Sequence, residues 1–285
     1  MLLIVESGGT KTDWLLVRNP TYQKSFQTSG LSPSIISWQQ IEAILKDEVA
    51  PWLANEKPRS LIFFGAGLGR EGFPDRMSKT LLDNLDLEVE PRVETDILGA
   101  AYACLGALPG IVNIMGTGSV AFRFNGEDVV QQSGGWGYLL GDEGGGSSLG
   151  RRFLRSLMSD NLPQEVKNAY TAWSGRTPEE TLRCLYREPR PGIFLARQVP
   201  FLAENINDPV ILDLVQAEIR HFFDLYLEPL LPETGQLVFM GGVARIFHEQ
   251  VMQECRARRL ERSRVLTESP VVSIANYLLG RPLDS

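Results

Sequence analysis

The chain has 285 residues, of which 43% are hydrophobic and 22% charged, a composition typical of a globular protein of two domains. Its net charge of −7 argues against nucleic acid as the main partner, and its two histidines argue against catalysis by histidine or by a histidine-bound metal. No apolar run approaches the ~20 residues of a membrane span. The N-terminal run MLLIVESGG lacks a basic segment and a cleavage site, and its continuation into a glycine turn indicates a first strand. The three cysteines lie far apart without a metal-binding spacing, so we expect a reduced, cytoplasmic protein with no membrane partner.

Strands and helices alternate in the first hundred residues after an opening β-hairpin. Strands are predicted over residues 2–6, 13–18, 22–28, 59–64 and 87–93, and helices over residues 35–53, 72–85 and 97–107. The opening hairpin turns through SGGTKT at residues 7–12. This order predicts a mixed α/β domain.

The pattern restarts at residue 110 with a second hairpin. Strands are predicted over residues 110–115, 119–124, 128–132, 237–240 and 264–266. Helices are predicted over residues 142–158, 163–173, 178–187, 192–206, 209–231 and 271–279, with a further helix ending near residue 258. We therefore predict an N-terminal domain over residues 1–108 and a C-terminal domain over 109–268 with a helical insertion at about 160–232. A last helical segment, 269–285, could pack back on the first domain.

Two hairpin tips have the same make-up, Gly8-Gly9-Thr10 and Gly116-Thr117-Gly118-Ser119. Successive backbone N–H groups in such turns form concavities that bind anions, and the hydroxyl groups add donors. A single glycine-rich hairpin is usually plain turn chemistry. Two of them, each opening an α/β half, favour a site for the phosphate tail of a nucleotide. The chain has neither a Walker P-loop nor a dinucleotide-binding fingerprint.

Carboxylates and one aromatic residue stand beside the glycine turns. Asp96 ends a strand and begins a helix, so it is either a helix N-cap or a general base, and the two roles are compatible. Asp142 has the same two interpretations, a helix cap or a ligand of substrate hydroxyls or metal. Trp136 lies among glycines, which favours a pocket lining over core packing. Lys11 and Asp13 can both be solvated hairpin residues, the interpretation we prefer for Asp13.

Together these motifs resemble the N-acetylglucosamine kinase branch of the BadF/BadG/BcrA/BcrD ATPase family, within the actin/hexokinase/Hsp70 superfamily. The family's first phosphate hairpin, DGGGTKT, is similar to residues 6–12, and its TD pair to Thr95-Asp96. Its second hairpin, GTGS, matches residues 116–119, and its GGWGxxxGDEG run matches residues 134–144 in full. Gly241-Gly242 fits its adenosine motif. The resemblance implies two actin-like, ribonuclease H-like α/β domains around a nucleotide cleft.

The resemblance also implies an activity, the ATP-dependent phosphorylation of an N-acetylglucosamine-like amino sugar at its 6-hydroxyl. Asp96 would accept the hydroxyl proton. The implied ATP contacts are Gly8, Gly9, Thr10, Lys11, Thr117, Gly118, Gly241 and Gly242. The implied sugar contacts are Ser32, Asp96, Gly135, Trp136 and Asp142. Mg²⁺ would bridge the β- and γ-phosphates, with Glu6 as a ligand through water. The partner is then a small-molecule sugar, and a homodimer is possible.

Two positions depart from the family pattern. Glu6 stands where the first hairpin has aspartate, and Ser32 stands where the family loop GxNP has asparagine. They motivate an alternative, a nucleotide- and sugar-binding sensor with weak or no catalysis. The radical-enzyme activators of the same family are disfavoured because Cys104, Cys184 and Cys255 do not form a close set. Zinc-containing sugar kinases of the ROK type are disfavoured because their cysteine-rich motif is missing.

Overall fold

The computed structural model describes residues 1–19, 22–54, 56–231 and 235–280. The chain divides into two compact units. Unit 1 comprises Met1–Ala107 together with the C-terminal segment that begins at Glu268. Unit 2 is the continuous stretch Leu108–Thr267. Each unit has its own sheet and its own hydrophobic core.

Unit 1 is built on a mixed five-stranded sheet in the order β3-β2-β1-β4-β5. Its strands are β1 (Leu2–Ser7), β2 (Lys11–Asn19), β3 (Tyr22–Ser29), β4 (Ser60–Gly65) and β5 (Arg92–Thr95). The first three strands are antiparallel, and β1, β4 and β5 are parallel. Ser7 pairs with Gly65, and Gly65 with Thr95, so the carboxyl ends of the parallel strands meet at one edge of the sheet.

The helices of unit 1 cover the apolar faces of this sheet. They are α1 (Trp38–Ile44), α2 (Ala50–Leu53), α3 (Phe73–Asn84) and α4 (Asp96–Leu105). A π-helical turn, Leu45–Val49, joins α1 to α2. Ser37 begins α1 with a capping box, because its hydroxyl accepts the Gln40 N–H while the Gln40 side chain accepts the Ser37 N–H.

Unit 2 repeats the arrangement with the sheet order β10-β9-β6-β7-β8. Its strands are β6 (Gly110–Met115), β7 (Ser119–Phe124), β8 (Val129–Gly134), β9 (Gln236–Met240) and β10 (Ser263–Val265). The first three form an antiparallel meander, and β6, β9 and β10 are parallel. The repeat predicted from the two hairpins is therefore confirmed.

Helices fill most of the sequence between β8 and β9. They are α5 (Gly146–Met158), α6 (Gln164–Ser174), α7 (Pro178–Arg187), α8 (Pro191–Ala196), α9 (Val199–Glu204) and α10 (Pro209–Phe222). A π-helical turn, Phe223–Leu227, and a 3₁₀ turn, Glu228–Leu230, extend α10. After β9 come α11 (Gly242–Ile246) and α12 (His248–Ala257), and in unit 1 the last helix is α13 (Pro270–Leu278). No helix within the described residues is both long enough and apolar enough to span a membrane.

Most predicted elements are confirmed to within a few residues, and three are wrong. The helix predicted from Asp142 begins at Gly146, because Asp142 has the left-handed φ of 66° and cannot start a helix. The strand predicted over 87–93 begins only at Arg92, since Pro91 has no N–H to donate to a ladder. The helix predicted over 192–206 is two short helices, α8 and α9.

Candidate active site

The tip of the first hairpin is held by its own turn and by the loop after β3. The Gly8 N–H donates to the Lys11 carbonyl at 2.9 Å, which closes the turn. The Gly30 N–H donates to the Thr10 carbonyl at 3.1 Å, and a Cβ at Gly30 would collide with the Gly8 carbonyl. Only glycine allows this approach. The backbone of the predicted phosphate turn is therefore fixed before any ligand binds.

Two buried hydroxyl groups, which the sequence analysis missed, brace the base of this hairpin. Ser7 Oγ and Thr12 Oγ1 are 2.8 Å apart on paired positions of β1 and β2. Ser7 Oγ also accepts the Leu31 N–H at 3.0 Å, and the Thr12 hydroxyl donates to the Ser29 carbonyl at 3.1 Å. A signal existed in the sequence, because strand alternation points both side chains to the same face of the hairpin.

Acidic side chains gather at the same edge of unit 1. Glu6 pairs with Asp13 across β1 and β2. Burial, followed by the negative charges of Asp13 and Asp96, raises the pKa of Glu6 to about 7, although Lys11 opposes the shift. Lys11 Nζ and Gln27 Nε2 donate to the Asp13 carboxylate at 2.7 and 2.6 Å. Asp13 is only 8% exposed, so its interpretation as a solvated residue is wrong.

Asp96 occupies the first position of α4, and the cap is Thr95. The Thr95 hydroxyl accepts the Leu98 N–H at 3.4 Å. Burial raises the pKa of the Asp96 carboxyl, and hydrogen bonds from the backbone of Ile97 and of Asp96 itself oppose the shift. Thr95 is therefore the N-cap, while the Asp96 carboxylate lies in the first turn of α4 and accepts these backbone hydrogen bonds.

Ser32 is a buried residue of the loop that joins β3 to α1. Its carbonyl accepts the N–H groups of Ile35 and Ile36 at 3.0 and 3.1 Å. Its exposed fraction is 2%, so in this conformation the side chain offers little surface to a ligand. Its predicted contact with the sugar stays a prediction.

The second hairpin is docked onto the first turn of α5. The Gly116 N–H donates to the Gly118 carbonyl at 2.9 Å and closes the turn. The N–H groups of Gly146 and Ser147 donate to the Gly116 and Thr117 carbonyls, both at 2.8 Å. The carbonyls at the tip are thereby occupied by the helix, which fixes the orientation of the turn.

Asp142 connects the second hairpin to α5. Its Oδ1 accepts the Ser119 N–H at 3.1 Å, and its Oδ2 accepts the Ser147 hydroxyl at 3.3 Å. A Cβ at Gly118 would lie 2.7 Å from Oδ1. Burial raises the pKa of Asp142, and these two donors oppose the shift. With 7% exposure, the carboxylate is directed at protein donors, which is a structural role that the sequence did not reveal.

The next feature is the loop over residues 134–141, which we call the sugar loop after its predicted contacts. Trp136 is 64% exposed, which confirms that it is not a core residue. Its ring meets the ring of Tyr226 edge to face, with centroids 5.8 Å apart and planes at 88°. Arg151 donates to the carbonyls of Tyr138 and Gly141, the latter at 3.4 Å. Gly135 lies at the start of the loop, where its N–H donates to the Ser119 carbonyl at 3.0 Å.

Gly241 and Gly242 follow β9 at the edge that carries the second hairpin. Gly241 has a φ of 106°, and a Cβ there would collide with the Met115 carbonyl and lie 3.0 Å from the Gly116 nitrogen. A Cβ at Gly242 would meet open space. Unit 2 thus brings the predicted adenosine motif directly against the predicted phosphate turn.

The described part of the chain does not contain a ready-made protein cage for a metal. Among the residues it describes, no group of three or more His, Cys, Asp and Glu side chains is placed to hold a metal ion. Cys184 and Cys255 are free thiols. The carboxylate of Glu6 is the kind of oxygen ligand that Mg²⁺ prefers, and nearby negative charge would favour a cation.

Comparison with known proteins places this chain in a family. No protein-family profile matches the sequence. The solved structure of a presumptive N-acetylglucosamine kinase from Porphyromonas gingivalis is 33% identical, covers 97% of this chain and 98% of its own, and superposes with a TM-score of 0.85. A ROK family glucokinase from Streptomyces griseus, solved with glucose and AMPPNP, has the same fold at 14% identity, with 96% and 98% covered and a TM-score of 0.54.

A curated relative is an N-acetyl-D-glucosamine kinase from Dictyostelium discoideum. It is 27% identical over 170 residues, which are 54% of this chain and 53% of the relative, so the match spans about half of that protein. The two sheets with hairpin turns define an actin-like ATPase fold, as predicted. Within that fold, the chain belongs to the N-acetylglucosamine kinase-like branch of the BadF/BadG/BcrA/BcrD ATPase family, a group of sugar kinases.

Proposed function

We propose that this protein transfers the γ-phosphoryl group of ATP to the 6-hydroxyl of an N-acetylglucosamine-like amino sugar. One observation carries the proposal. Asp96 lies at the edge where β1, β4 and β5 end, the edge that also carries the first glycine turn, and the N-cap of its helix is Thr95. A carboxylate with a raised pKa beside a phosphate turn is suited to accept the proton of an attacking hydroxyl.

The reaction needs little more than positioned groups. As the sugar oxygen bonds to the γ-phosphorus, the bond from that phosphorus to the β–γ bridging oxygen breaks and ADP leaves. Asp96 takes the proton of the hydroxyl. Phosphoryl transfer depends mainly on positioning and on stabilising charge, which backbone N–H groups supply.

We assign the remaining residues by unit. In unit 1 the first turn, Gly8-Gly9-Thr10, contacts phosphate, with Lys11 beside it, and Ser32 lies on the sugar side. In unit 2 Thr117 and Gly118 contact phosphate, Gly241 and Gly242 face the adenosine, and Gly135 and Trp136 contact the sugar. We retain Asp142 as a residue of the sugar site. Its hydrogen bonds to Ser119 and Ser147 favour a role in holding the second hairpin in place.

Mg²⁺ fits the chemistry of unit 1. When bound, it would neutralise charge on the β- and γ-phosphates. Glu6 would hold it through water, next to the negative charges of Asp13 and Asp96. A site that relies on phosphate oxygens and one water-mediated carboxylate agrees with the preference of Mg²⁺ for few protein ligands.

The test is the variant Asp96→Asn, which keeps the shape of the side chain and removes the base. We expect phosphorylation of N-acetylglucosamine to fall by at least roughly 100-fold, the typical effect of losing a general base. ATP binding, measured by titration calorimetry, should stay nearly unchanged because the phosphate turns are intact.

The matched control is Glu94→Gln. Glu94 is a carboxylate on β5, the strand that ends just before Asp96, and it pairs with Arg92 at 2.9 Å. This variant should retain the turnover of the wild type. If Asp96→Asn also retained it, the assignment of the base would be wrong.

A second candidate is a sensor that binds nucleotide and sugar with little or no catalysis. The burial of Ser32 and the replacement of aspartate by Glu6 favour it. A panel of amino sugars, assayed with ATP and Mg²⁺, separates the two candidates, because binding without product would support the sensor. The homodimer and the cytoplasmic location stay predictions.

A further inference from the structure

The sugar loop is supported from below by one buried tyrosine. Within the loop, the Gly141 N–H donates to the Gly137 carbonyl at 2.9 Å and makes a local turn. Tyr226 is completely buried, and its ring lies against Gly134 and edge-on to Trp136, with ring centroids 5.8 Å apart. A Cβ at Gly141 would lie 2.8 Å from the Tyr226 hydroxyl. Tyr226 therefore contacts both ends of the loop and its aromatic residue.

The hydroxyl group of Tyr226 is anchored by Glu143, just beyond the loop. It donates a hydrogen bond to Glu143 Oε2, a residue 83 positions away in sequence. Burial and this carboxylate raise the pKa of Tyr226 well above its usual range, so the phenol keeps its proton and stays a donor. The Glu143 carbonyl in turn accepts the Ser119 hydroxyl at 2.6 Å. The tyrosine, the loop and the phosphate hairpin form one hydrogen-bonded assembly.

The helix that carries Tyr226 changes its geometry where the loop needs support. The regular helix α10 ends at Phe222, and the next five residues, Phe223–Leu227, form a wider π-helical turn. Such turns are frequent at functional sites. Phe222 packs edge-on against the Tyr226 ring, with centroids 5.7 Å apart, which limits how the ring can turn.

From these contacts we propose that Tyr226 and Glu143 are positioning residues for the acceptor sugar, acting through Trp136. The proposal rests on the proposed function, in which Trp136 contacts the sugar. Neither residue needs to touch the substrate. Tyr226 fixes the height and tilt of the Trp136 ring, and Glu143 fixes Tyr226.

The experiment compares KM for the sugar with KM for ATP in Tyr226→Phe. This variant keeps the ring and removes only the hydroxyl, so folding should survive. Because the variant loses a hydrogen bond to a charged group, we expect roughly a tenfold rise in KM for the sugar. KM for ATP should stay within about twofold of the wild type, since the adenosine and phosphate turns are untouched. Glu143→Gln retains an acceptor oxygen and should show a smaller rise.

The matched control is Tyr170→Phe. Tyr170 is also a buried tyrosine of unit 2, and its hydroxyl donates to Gln198 Oε1 at 2.7 Å. Both KM values should match those of the wild type in this variant. Equal rises of the sugar and ATP KM in Tyr226→Phe, or no rise at all, would overturn the proposal.

A double-mutant cycle with Trp136→Ala tests whether Tyr226 acts through Trp136. Residues in contact that work as one unit are not additive. The double variant should therefore show about the same KM for the sugar as Trp136→Ala alone. If the two effects multiply instead, Tyr226 does not act through Trp136 and the proposal is wrong.

Hydrogen exchange of the free protein separates this proposal from the proposed function. Amides of residues 134–141 should exchange faster in Tyr226→Phe than in the wild type and should be unaffected in Tyr170→Phe. This result is expected even if the wild type phosphorylates no amino sugar, an outcome that would refute only the activity. Unchanged exchange in Tyr226→Phe would refute the positioning role.

Discussion

At the scale of single residues, Glu6 shows how burial and neighbouring negative charges change the protonation of a carboxyl group. Its pKa rises from 4.5 to about 7 because it is buried and faces Asp13 and Asp96. The folded protein therefore binds this proton more tightly than the unfolded chain does. Glu6 stabilises the fold fully below pH 4.5, and this contribution is lost as pH rises towards 7.

This shift predicts the pH dependence of stability of Glu6→Gln. Between about pH 4.5 and pH 8, the free energy of unfolding of the variant should rise relative to that of the wild type by up to about 3 kcal/mol. The reason is that glutamine has no proton to lose. Urea unfolding in the presence of EDTA at several pH values measures the difference. Glu94→Gln is the control, and a difference for Glu6→Gln that does not vary with pH would contradict the prediction.

The neighbouring acids Asp142 and Glu143 have separate structural tasks. Asp142 binds the Ser119 N–H and the Ser147 hydroxyl, whereas Glu143 binds the Tyr226 hydroxyl. The Asp142 side chain therefore holds the second hairpin, and the Glu143 side chain holds the tyrosine that packs against Trp136.

At the scale of elements, the second hairpin depends on a close approach at Gly118. A Cβ there would lie 2.7 Å from the Asp142 carboxylate. We predict that Gly118→Ala displaces Asp142, costs about 1–3 kcal/mol of stability as an overpacked site, and raises KM for ATP by more than roughly tenfold. Urea unfolding and initial rates measure the two effects.

The control for this element is Gly69→Ala, at a position where a Cβ meets open space. It should leave stability and KM for ATP nearly unchanged. Wild-type ATP binding in Gly118→Ala would show that the hairpin tolerates movement of Asp142. That result would contradict the proposed contact of this turn with phosphate.

Sequence periodicity predicted the elements well because burial patterns are local. The first hairpin, the second hairpin and the strand before Gly241 all lie where alternation indicated. The predicted start of α5 was wrong because Asp142, which resembles a helix cap in sequence, has a left-handed φ and lies four residues before the helix. Local residue types do not distinguish these two conformations of aspartate.

The predicted site was incomplete where distant residues meet. Motif spacing singled out Asp96, Trp136 and both glycine turns. It did not single out Tyr226, which reaches Glu143 across 83 positions of sequence from a helix with no motif of its own. Asp13 was misjudged for a similar reason, since its partner Gln27 comes from another strand, β3. Side-chain bonds between elements depend on packing, which spacing along one chain does not reveal.

At the scale of the whole molecule, the chain leaves unit 1 after Ala107 and returns to it at Glu268. The returning helix α13 packs against α4 and β1 and buries Val271, Ile274 and Ala275. Tyr102 of α4 and Tyr277 of α13 place their ring centroids 5.0 Å apart. Unit 1 is thus completed by a segment that the chain reaches only after passing through all of unit 2.

This connectivity predicts that Ile274→Ala weakens unit 1. Removing a fully buried isoleucine side chain typically costs about 2–5 kcal/mol, since the cavity collapses only in part. Amides of β1 and α4 should then lose protection in native-state hydrogen exchange, with peptides from α6 and α7 as the internal reference. Leu279→Ala, at a position 41% exposed just after α13, is the control and should change little. If β1 and α4 kept their protection in Ile274→Ala, α13 would not contribute to the stability of the core of unit 1.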